Sequence, residues 1–447
     1  MDLNSLTAIS PVDGRYRKQT ELLDAYFSEF ALIKYRFKIE VEYFIALTQI
    51  LPQLQHFKDH VLLRELCTKV ETFNIADARR VKEIESITNH DVKAVEIFVR
   101  EIMADYPEER EFIHFGLTSF DVDGMARPLM LKEAHDKLIL PALQEVKACL
   151  VRMYYDWDDI VLLARTHGQP ASPTRLGKEM YVFLDRLESQ FDYLRNVIHS
   201  AKFGGATGNF NAHYVAYPDI NWVSFANDFV QKLGLLRTSV TTQIEPYDNV
   251  ATYCNTMKQI NTILIDFCRD VWTYIMLEEI KQKPKEGEVG SSAMPHKVNP
   301  IDFENAEGNL GFANAIFTHL ADKLPISRLQ RDLSDSTVIR NMGVPLAHIL
   351  IALKAIKKGL GKVTPNTDKI NANLADNWAV VAEAIQTILR REGYPSSYDT
   401  LKELTRTGEK ITKDTLHSFI DTLDVSNPVK TELKDITPWN YTGVRLF

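Results

Sequence analysis

The chain has 447 residues, of which 45% are hydrophobic and 25% charged, the balance of a soluble globular protein. Its 52 lysines and arginines against 60 acidic residues give a net charge of −8. This charge disfavours a nucleic-acid or anionic-membrane surface, but a small anionic substrate could still be bound by cations gathered locally.

The first residues, MDLNSLTAISPVDGRY, lack a basic segment followed by an apolar run, so we expect no secretory signal. No stretch reaches the ~18 uninterrupted apolar residues of a membrane span. The four cysteines form no CxxC pair. Cys254 and Cys268 lie roughly 21 Å apart along one predicted helix, too far for a disulfide. These features predict a cytoplasmic protein without a membrane partner.

Helical periodicity dominates the chain, and glycine is scarce at 19 residues. Apolar spacings of three and four predict helices at about 17–51, 128–157, 173–200, 247–283, 304–322, 338–361 and 368–392. Pro141 is expected to kink the second of these. Alternating strand patterns of sandwich type and repeats of fixed period are not seen. The predicted fold class is therefore all-α.

The longest predicted helix lies between Pro246 and Pro284, with no Gly or Pro inside it. Its apolar residues form a heptad seam, namely Val250, Tyr253, Met257, Ile260, Leu264, Phe267 and Val271. Such a helix would span roughly 50 Å and needs partners along its whole length. We therefore expect a long bundle completed by other subunits.

The length of the chain predicts two or three domains. Breaks near 105–111 and 362–366 favour three. The expected division is an N-terminal helical domain (1–110), a central long-helix bundle (111–363) and a small helical C-terminal domain (364–447).

Polar segments with reactive side chains interrupt this pattern. They are SPVDGRY (10–16), TNHDVKA (88–94), FGLTSFD (115–121), RTHGQPA (165–171), GSSAMPHKVNP (290–300) and RDLSDSTVIR (331–340).

His167 follows an apolar run at which a buried helix is expected to end. A lone histidine there is usually explained by the helix dipole. The neighbouring Thr166 and Gln169 favour a role in chemistry, because an imidazole that titrates near pH 7 can protonate a leaving amine.

In GSSAMPHKVNP, Ser291 and Ser292 sit among backbone N–H donors, and Lys297 and Asn299 could clamp a carboxylate. Most Gly/Ser/Pro clusters are surface loops. Two prolines, however, rarely bracket Lys and Asn between long helices. A serine here can act as a base only if N–H groups and a cation stabilise its alkoxide.

Two segments have a capping explanation beside a functional one. Asp91 could orient the His90 imidazole, or the segment could cap a helix that begins around Val92. Thr118 and Ser119 could form an N-cap, or donate hydroxyl groups to an anion.

RDLSDSTVIR is the third segment with two explanations. Arg331, Ser336 and Arg340 could form a phosphate fork on neighbouring faces of a helix. The alternative is a solvated charge run that includes Asp332 and Asp335.

The sequence contains no GxxxxGK[ST], GxSxG or HExxH motif, no GxGxxG after a strand, and no Cys/His metal spacing. Acid–base chemistry without a metal or cofactor fits best among the remaining classes.

GSSAMPHKVNP resembles the signature loop of the fumarase/aspartase superfamily, GSSxMPxKxNP. Within it, MPHK and RTHGQPA resemble the adenylosuccinate lyases. SPVDGRY, TNHDVKAVE, TTQIEP (241–246), IDFENAEGN (301–309) and RDLSDSTVIRN are similar to the bacterial form of that family. The resemblance runs from about residue 8 to Gly443 and implies three largely helical domains in a homotetramer, with each active site built from three subunits. The implied reaction is β-elimination of fumarate from adenylosuccinate, giving AMP, and from SAICAR, giving AICAR.

The resemblance implies Ser291 as general base and His167 as general acid. It implies that the succinyl group is held by Thr118, Ser119, Gln243, Lys297 and Asn299. It implies nucleotide and phosphate contacts from Arg15, Tyr16, Arg331, Ser336, Thr337 and Arg340. Further substrate contacts are implied for Asn89, His90, Asp91, Ser292 and Asn305. Phe120 stands where the family more often has an acidic or small polar residue.

Two alternatives remain at this stage. A lyase acting on argininosuccinate, malate or aspartate would not need Arg331 and Arg340 as a phosphate fork. A non-catalytic helical scaffold derived from such a lyase is expected to have lost Ser291 or His167, and both are present.

Overall fold

The computed structural model describes residues 4–283, 297–395, 397–398, 401–402 and 410–445. These residues are mainly helical, with strands of only two or three residues, so the all-α prediction is confirmed. The helices are α1 (Arg17–Thr20), α2 (Asp24–Phe27), α3 (Glu29–Thr48), α4 (Val61–Thr72), α5 (Ile75–Thr88), α6 (Asp91–Ile102), α7 (Ser119–Ala134), α8 (Leu140–Trp157), α9 (Leu176–Arg195), α10 (Asn211–Ala216), α11 (Trp222–Lys232), α12 (Asp248–Met276), α13 (Ile301–Lys323), α14 (Ser334–Ile339), α15 (Gly343–Leu360), α16 (Thr367–Ala375), α17 (Ala382–Arg391), α18 (Lys413–Thr422) and α19 (Asn427–Asp435).

Short strands form two-stranded pairs between the helices. They are β1 (Val161–Leu162), β2 (Arg165–Thr166), β3 (Gln169–Pro170), β4 (Thr174–Arg175), β5 (Ser200–Ala201), β6 (Leu236–Arg237), β7 (Ile280–Gln282) and β8 (Val363–Pro365). In the described residues β1 pairs with β4, β2 with β3 and β7 with β8, all antiparallel, while β5 and β6 are parallel.

The chain divides into two compact units. Unit 1 comprises Met1–Gln144, Ser189–Ile265 and Ala306–Lys354, and unit 2 comprises Glu145–Glu188, Asp266–Asn305 and Ala355–Phe447. The division into three domains stays a prediction.

Helix α3 is central to the core of unit 1. It begins where the Ser28 hydroxyl accepts a hydrogen bond from the Ala31 N–H at 3.1 Å, an N-cap that starts the helix. Its neighbours in unit 1 include α4, α5, α6 and α7. Phe37 and Phe44 are fully buried, but so are the charged side chains of Arg36 and Glu40. Buried charges require partners, and those of Arg36 lead to the candidate site.

Unit 2 has a smaller carboxyl-terminal core. This core is formed by apolar side chains of α17, α18 and α19, among them Ile385, Leu389, Ile420 and Leu433, which pack together with Trp378. Strands β7 and β8 also belong to this unit.

The heptad seam of α12 is confirmed from Tyr253 to Val271, since the seam residues in this span are buried. The helix ends at Met276, earlier than predicted, and extends about 43 Å. Glu278 adopts a left-handed backbone with φ 59°, and Ile280–Gln282 then pairs with Val363–Pro365. The helix therefore ends where the chain turns to pair with a distant strand. The periodicity of neighbouring residues cannot reveal such pairing.

Other predicted helices are interrupted at capping residues. The 17–51 segment breaks at Ser28, and the 368–392 segment breaks between α16 and α17. A π-helical turn, His135–Ile139, lies immediately before the turn that contains Pro141. Such turns accommodate a proline because they release backbone carbonyls from the regular ladder.

By length and composition alone, Ser334–Leu360 could cross a membrane, but 61% of its most apolar window is buried in the protein. Buried core helices have the same composition.

Candidate active site

An ion cluster around the buried side chains of Arg36 and Asp123 includes two predicted site residues of unit 1, Asp91 and Arg340. Arg36 Nε donates to Asp123 Oδ1 at 2.6 Å, and Arg36 Nη2 donates to Asp91 Oδ2 at 2.8 Å. Arg340 donates to the same Asp91 oxygen at 3.1 Å and to Glu29 Oε2 at 2.9 Å. Burial acts to raise the pKa of Asp123, but the charges of Arg36 and Arg127 and the hydrogen bond from Arg36 together outweigh it, and the pKa falls to about 2. Burial also acts to raise the pKa of Asp91, but its net shift is downward, chiefly through the Arg36 charge, so Asp91 is held as a carboxylate between Arg36 and Arg340.

His90 caps helix α6 with its ring. Its Nδ1 accepts a hydrogen bond from the Lys93 N–H at 3.2 Å, which places the ring proton on Nε2. Nε2 lies 3.4 Å from the Ser119 hydroxyl. Of the two explanations for this segment, capping is realised, and α6 begins at Asp91. Asp91 instead accepts hydrogen bonds from Arg36 and Arg340. Its Oδ1 lies 3.8 Å from His90 Nδ1, too far for a hydrogen bond that would orient the ring. Asn89, at φ 52°, ends α5 in the left-handed conformation.

Thr118 is the N-cap of α7, as the capping explanation for FGLTSFD predicted. Its N–H donates to Asp121 Oδ2 at 2.8 Å. Asp121 Oδ1 accepts hydrogen bonds from the Lys202 ammonium at 2.7 Å and from the Gly204 N–H at 2.9 Å. The side chains of Asp121 and Lys202 are both 0% exposed. This buried pair joins the start of α7, with its Thr118 and Ser119 hydroxyls, to the loop after β5.

Gln243 connects this loop to Arg331. Its Nε2 donates to the Ala206 carbonyl at 3.0 Å, and its Oε1 accepts from Arg331 Nη1 at 3.1 Å. The Arg331 guanidinium carbon lies 5.3 Å from the centre of the Phe120 ring. Its Nε is buried and has no hydrogen-bond partner among the described residues.

The segment RDLSDSTVIR contains the short helix α14. Arg331 precedes α14 and Arg340 is its C-cap, while Ser336 and Thr337 lie on the helix. The explanation in which both arginines occupy neighbouring faces of one helix is not realised, because the helix has only six residues.

The aspartates of this segment have partners of their own. Asp335 is buried and accepts from the Tyr247 hydroxyl at 3.0 Å. Asp332 accepts from the Ser334 N–H at 2.8 Å and pairs with Arg328 at 3.1 Å. The hydrogen bond from the Ser334 hydroxyl, above all, lowers the pKa of Asp332 to about 2. A simple solvated charge run therefore does not describe this segment.

Arg15 and Tyr16 lie at the end of the N-terminal loop of unit 1. The exposed Arg15 has its guanidinium carbon 5.9 Å from the Tyr16 ring centre, and Tyr16 is the N-cap of α1.

In unit 2, His167 lies at the tip of a β-hairpin, so the expectation of a helix end was wrong. Thr166 pairs with Gln169 across the hairpin. His167 and Gly168 have φ values of 53° and 75°, and positive values at both positions are what a two-residue type I′ turn requires. The hairpin residues 165–170 are exposed.

The predicted base, Ser291, and its neighbour Ser292 lie outside the described residues. After them, Lys297 is exposed and Asn299 is half-buried, and Asn305 is half-buried on α13. The intervening backbone is anchored, because the Val298 carbonyl accepts a hydrogen bond from the Gln282 side chain at 3.0 Å.

The described parts of the chain hold no group of three or more His, Cys, Asp or Glu side chains arranged to ligate a metal ion.

Family models match almost the whole chain: a lyase model covers residues 14–313, and an adenylosuccinate lyase C-terminal model covers 327–442. The chain is 54% identical to adenylosuccinate lyase of Dictyostelium discoideum, over 99% of this chain and 98% of that protein. It is 47% identical to adenylosuccinate lyase of Escherichia coli strain K12, with the same coverage.

The chain belongs to the adenylosuccinate lyase family.

Solved structures outside this family share the fold. A 3-carboxy-cis,cis-muconate lactonizing enzyme from Pseudomonas putida matches with a TM-score of 0.71 at 20% identity, over 95% of this chain and 96% of that one. The β-carboxy-cis,cis-muconate cycloisomerase of Acinetobacter calcoaceticus matches with 0.69 at 17% identity, over 96% and 95%. The predicted fumarase/aspartase-like helical fold is confirmed.

Several residues that organise the site were missed from the sequence. Arg36, Asp123 and Lys202 belong to no quoted motif, and each meets its partner across at least 55 positions of chain. One feature of the sequence could have indicated Arg36. It is a charged residue among the apolar residues of α3, and a charge buried in such a helix requires a partner.

Proposed function

We propose that the chain eliminates fumarate from adenylosuccinate to give AMP, and from SAICAR to give AICAR, two steps of purine biosynthesis. The observation that carries the proposal is the full-length similarity to adenylosuccinate lyases. We place the reaction in the cytoplasm.

In the proposed chemistry, the Ser291 alkoxide removes a proton from the carbon β to the nitrogen. The electron pair left on that carbon is delocalised into the adjacent carboxylate as an aci-carboxylate. That pair then forms the C=C bond of fumarate as the C–N bond breaks, the electrons of the C–N bond stay with nitrogen, and His167 supplies the proton that the nitrogen takes up. Cations and N–H donors around the carboxylate lower the barrier because its charge grows in the transition state.

The proposed succinyl site is the start of α7 with its surroundings. The Thr118 and Ser119 hydroxyls stand at a helix N-terminus, where backbone dipoles favour carboxylates. Gln243, which donates to the Ala206 carbonyl, is a further proposed contact of the succinyl group, as are Lys297 and Asn299. His90 directs its Nε2–H toward Ser119, a supporting role beside His167.

The proposed nucleotide and phosphate site uses Arg331 and Arg340 with Ser336, Thr337, Arg15 and Tyr16. The buried Nε–H of Arg331, which finds no acceptor in the part of the chain that the structure describes, supports this assignment, because a buried donor without an acceptor is costly unless a ligand supplies one. Asn89, Asp91, Ser292 and Asn305 are proposed to complete the shell.

We propose a homotetramer with active sites shared between subunits. His167 projects from an exposed hairpin. Large apolar side chains are also exposed on long helices, among them Trp272 and Met276 on α12 and Phe312 on α13. Such surfaces commonly mark subunit interfaces. Light scattering tests the assembly, and restored activity after mixing inactive Ser291→Ala and His167→Gln subunits tests the sharing; a monomer, or no restoration, contradicts it.

Substitution of the acid and the base tests the mechanism. Ser291→Ala should abolish turnover while substrate binding persists, since a base acts in the transition state. His167→Gln should lower kcat by more than about 100-fold, as expected for loss of a general acid. His56→Gln is the matched control, because His56 is exposed and pairs with Glu109. Loss of binding in parallel with turnover would contradict the role of Ser291, and an unchanged rate across pH would contradict that of His167.

Parallel assays with argininosuccinate, malate and aspartate separate the remaining alternatives. Activity on one of these acids but not on adenylosuccinate would keep the fold and discard the nucleotide. Turnover no greater than that of Ser291→Ala on any of them would favour a non-catalytic scaffold.

A further inference from the structure

Two side chains, Gln243 and Phe120, hold Arg331 from two sides. Its Nη1 donates to Gln243 Oε1 at 3.1 Å, and its guanidinium carbon lies 5.3 Å from the Phe120 ring centre. Nε is buried without an acceptor among the described residues. Neither holding contact is an ion pair, so the cation keeps its full charge for a ligand.

The Phe120 ring that faces Arg331 has little freedom to move. Phe120 is 3% exposed and lies in the first turn of α7, next to Ser119. It meets the Tyr247 ring edge to face, with centres 6.3 Å apart, and Tyr247 is itself bound to Asp335. Gly124 leaves room for it, since a Cβ there would lie 2.9 Å from Phe120 Cε1. The ring therefore presents a fixed face.

A cation above an aromatic face is attracted by the electrons of the ring, and the attraction grows when water is excluded. Unlike a carboxylate at the same position, the ring orients the guanidinium without neutralising it. An acidic residue at this position would compete with an anionic ligand for Arg331.

We propose that Phe120 is a positioning residue for Arg331, fixing its guanidinium so that the free N–H meets an anionic group of the substrate. The inference rests on the proposed role of Arg331 as a nucleotide-phosphate contact. Phe120 would act on substrate binding through Arg331, and not on the elimination step itself.

A double-mutant cycle tests this proposal. Phe120→Leu should raise KM for adenylosuccinate about tenfold, the size of a desolvated cation–π contact, with kcat changed less than about twofold. The inhibition constant of inorganic phosphate should rise in parallel. In an Arg331→Met background, Phe120→Leu should change kcat/KM less than about twofold.

Phe57→Leu is the matched control. Phe57 is as buried as Phe120 and likewise meets a tyrosine ring edge to face, that of Tyr106, but it contacts none of the residues proposed to bind substrate. KM should stay unchanged in this variant. Where Phe120→Leu lowers the soluble yield, Phe120→Met repeats the cycle with a side chain of similar volume and no ring.

An unchanged KM in Phe120→Leu would overturn the inference, and so would an equal effect with and without Arg331. Both outcomes require a wild-type enzyme that turns over adenylosuccinate. Absence of wild-type turnover would instead be a failure of the proposed function.

Discussion

Replacing Lys202 with methionine should remove much of the stability of unit 1. The Lys202 ammonium and the Asp121 carboxylate are both 0% exposed and lie 2.7 Å apart. Burial lowers the pKa of Lys202, and the attraction of Asp121 opposes that shift. Methionine fills most of the space but leaves a carboxylate buried without its cation.

Removing one partner of a buried ion pair typically costs about 3–5 kcal/mol. Asp121 keeps hydrogen bonds from the N–H groups of Thr118, Gly204 and Gly205, at 2.8 to 3.2 Å. These donors compensate part of the charge, so we expect the lower end, about 3 kcal/mol. Because the same contacts hold the start of α7, kcat/KM should also fall.

Urea unfolding at pH 7 measures the effect. The matched control is Lys132→Met, since Lys132 pairs with Asp136 at the surface at 2.7 Å, and that variant should cost under about 1 kcal/mol. Adding Asp121→Asn to Lys202→Met removes the unpaired charge and should restore about 1–2 kcal/mol. A free energy of unfolding for Lys202→Met within about 1 kcal/mol of the Lys132→Met value would refute this reasoning.

Three further effects follow from buried groups of unit 1. Burial lowers the pKa of His213 to about 4, below the unfolded value near 6.5, so protonation favours unfolding. In urea titrations His213 should account for about 3 kcal/mol of the stability lost as pH falls from 6.5 to 4, and His213→Gln should reduce the loss by that amount, while the buried His199 keeps its own share. Gly116→Ala should lower the free energy of unfolding in urea by about 3 kcal/mol, because φ is 67° there and the added Cβ would lie 2.8 Å from the His213 ring. The control Gly168→Ala also has a positive φ, but its Cβ meets nothing within 4 Å, so it should cost only about 1 kcal/mol. Arg36→Met leaves two carboxylates, one of them Asp91, without their buried cation, and should lower the thermal midpoint together with kcat/KM; an unchanged midpoint would show that the cluster contributes little.

Local features of the fold were predictable from sequence because they depend on neighbouring residues. The heptad seam of α12 and the N-cap at Thr118 both repeat or act within a few positions. The end of α12 was not predictable in this way, since it depends on pairing with Val363–Pro365, about 80 residues away. The hairpin at His167 was hidden because its strands are only two residues long.

The candidate site shows the same contrast. Motifs identified the residues proposed to touch the substrate, because reactive side chains cluster in short polar segments. The groups that position them are dispersed: Arg36 reaches Asp123 across 87 positions, and Lys202 reaches Asp121 across 81. Phe120 could be noted as unusual, but its contact with Arg331 required coordinates.

The most direct test of the account is to follow adenylosuccinate with the purified chain, in the presence of a chelator. Its ultraviolet absorbance and the fumarate released would be recorded together, for the wild type and for Ser291→Ala. The account predicts loss of adenylosuccinate with one fumarate formed per molecule consumed, and no turnover by the variant. No fumarate from the wild type, or equal rates for both proteins, would contradict it.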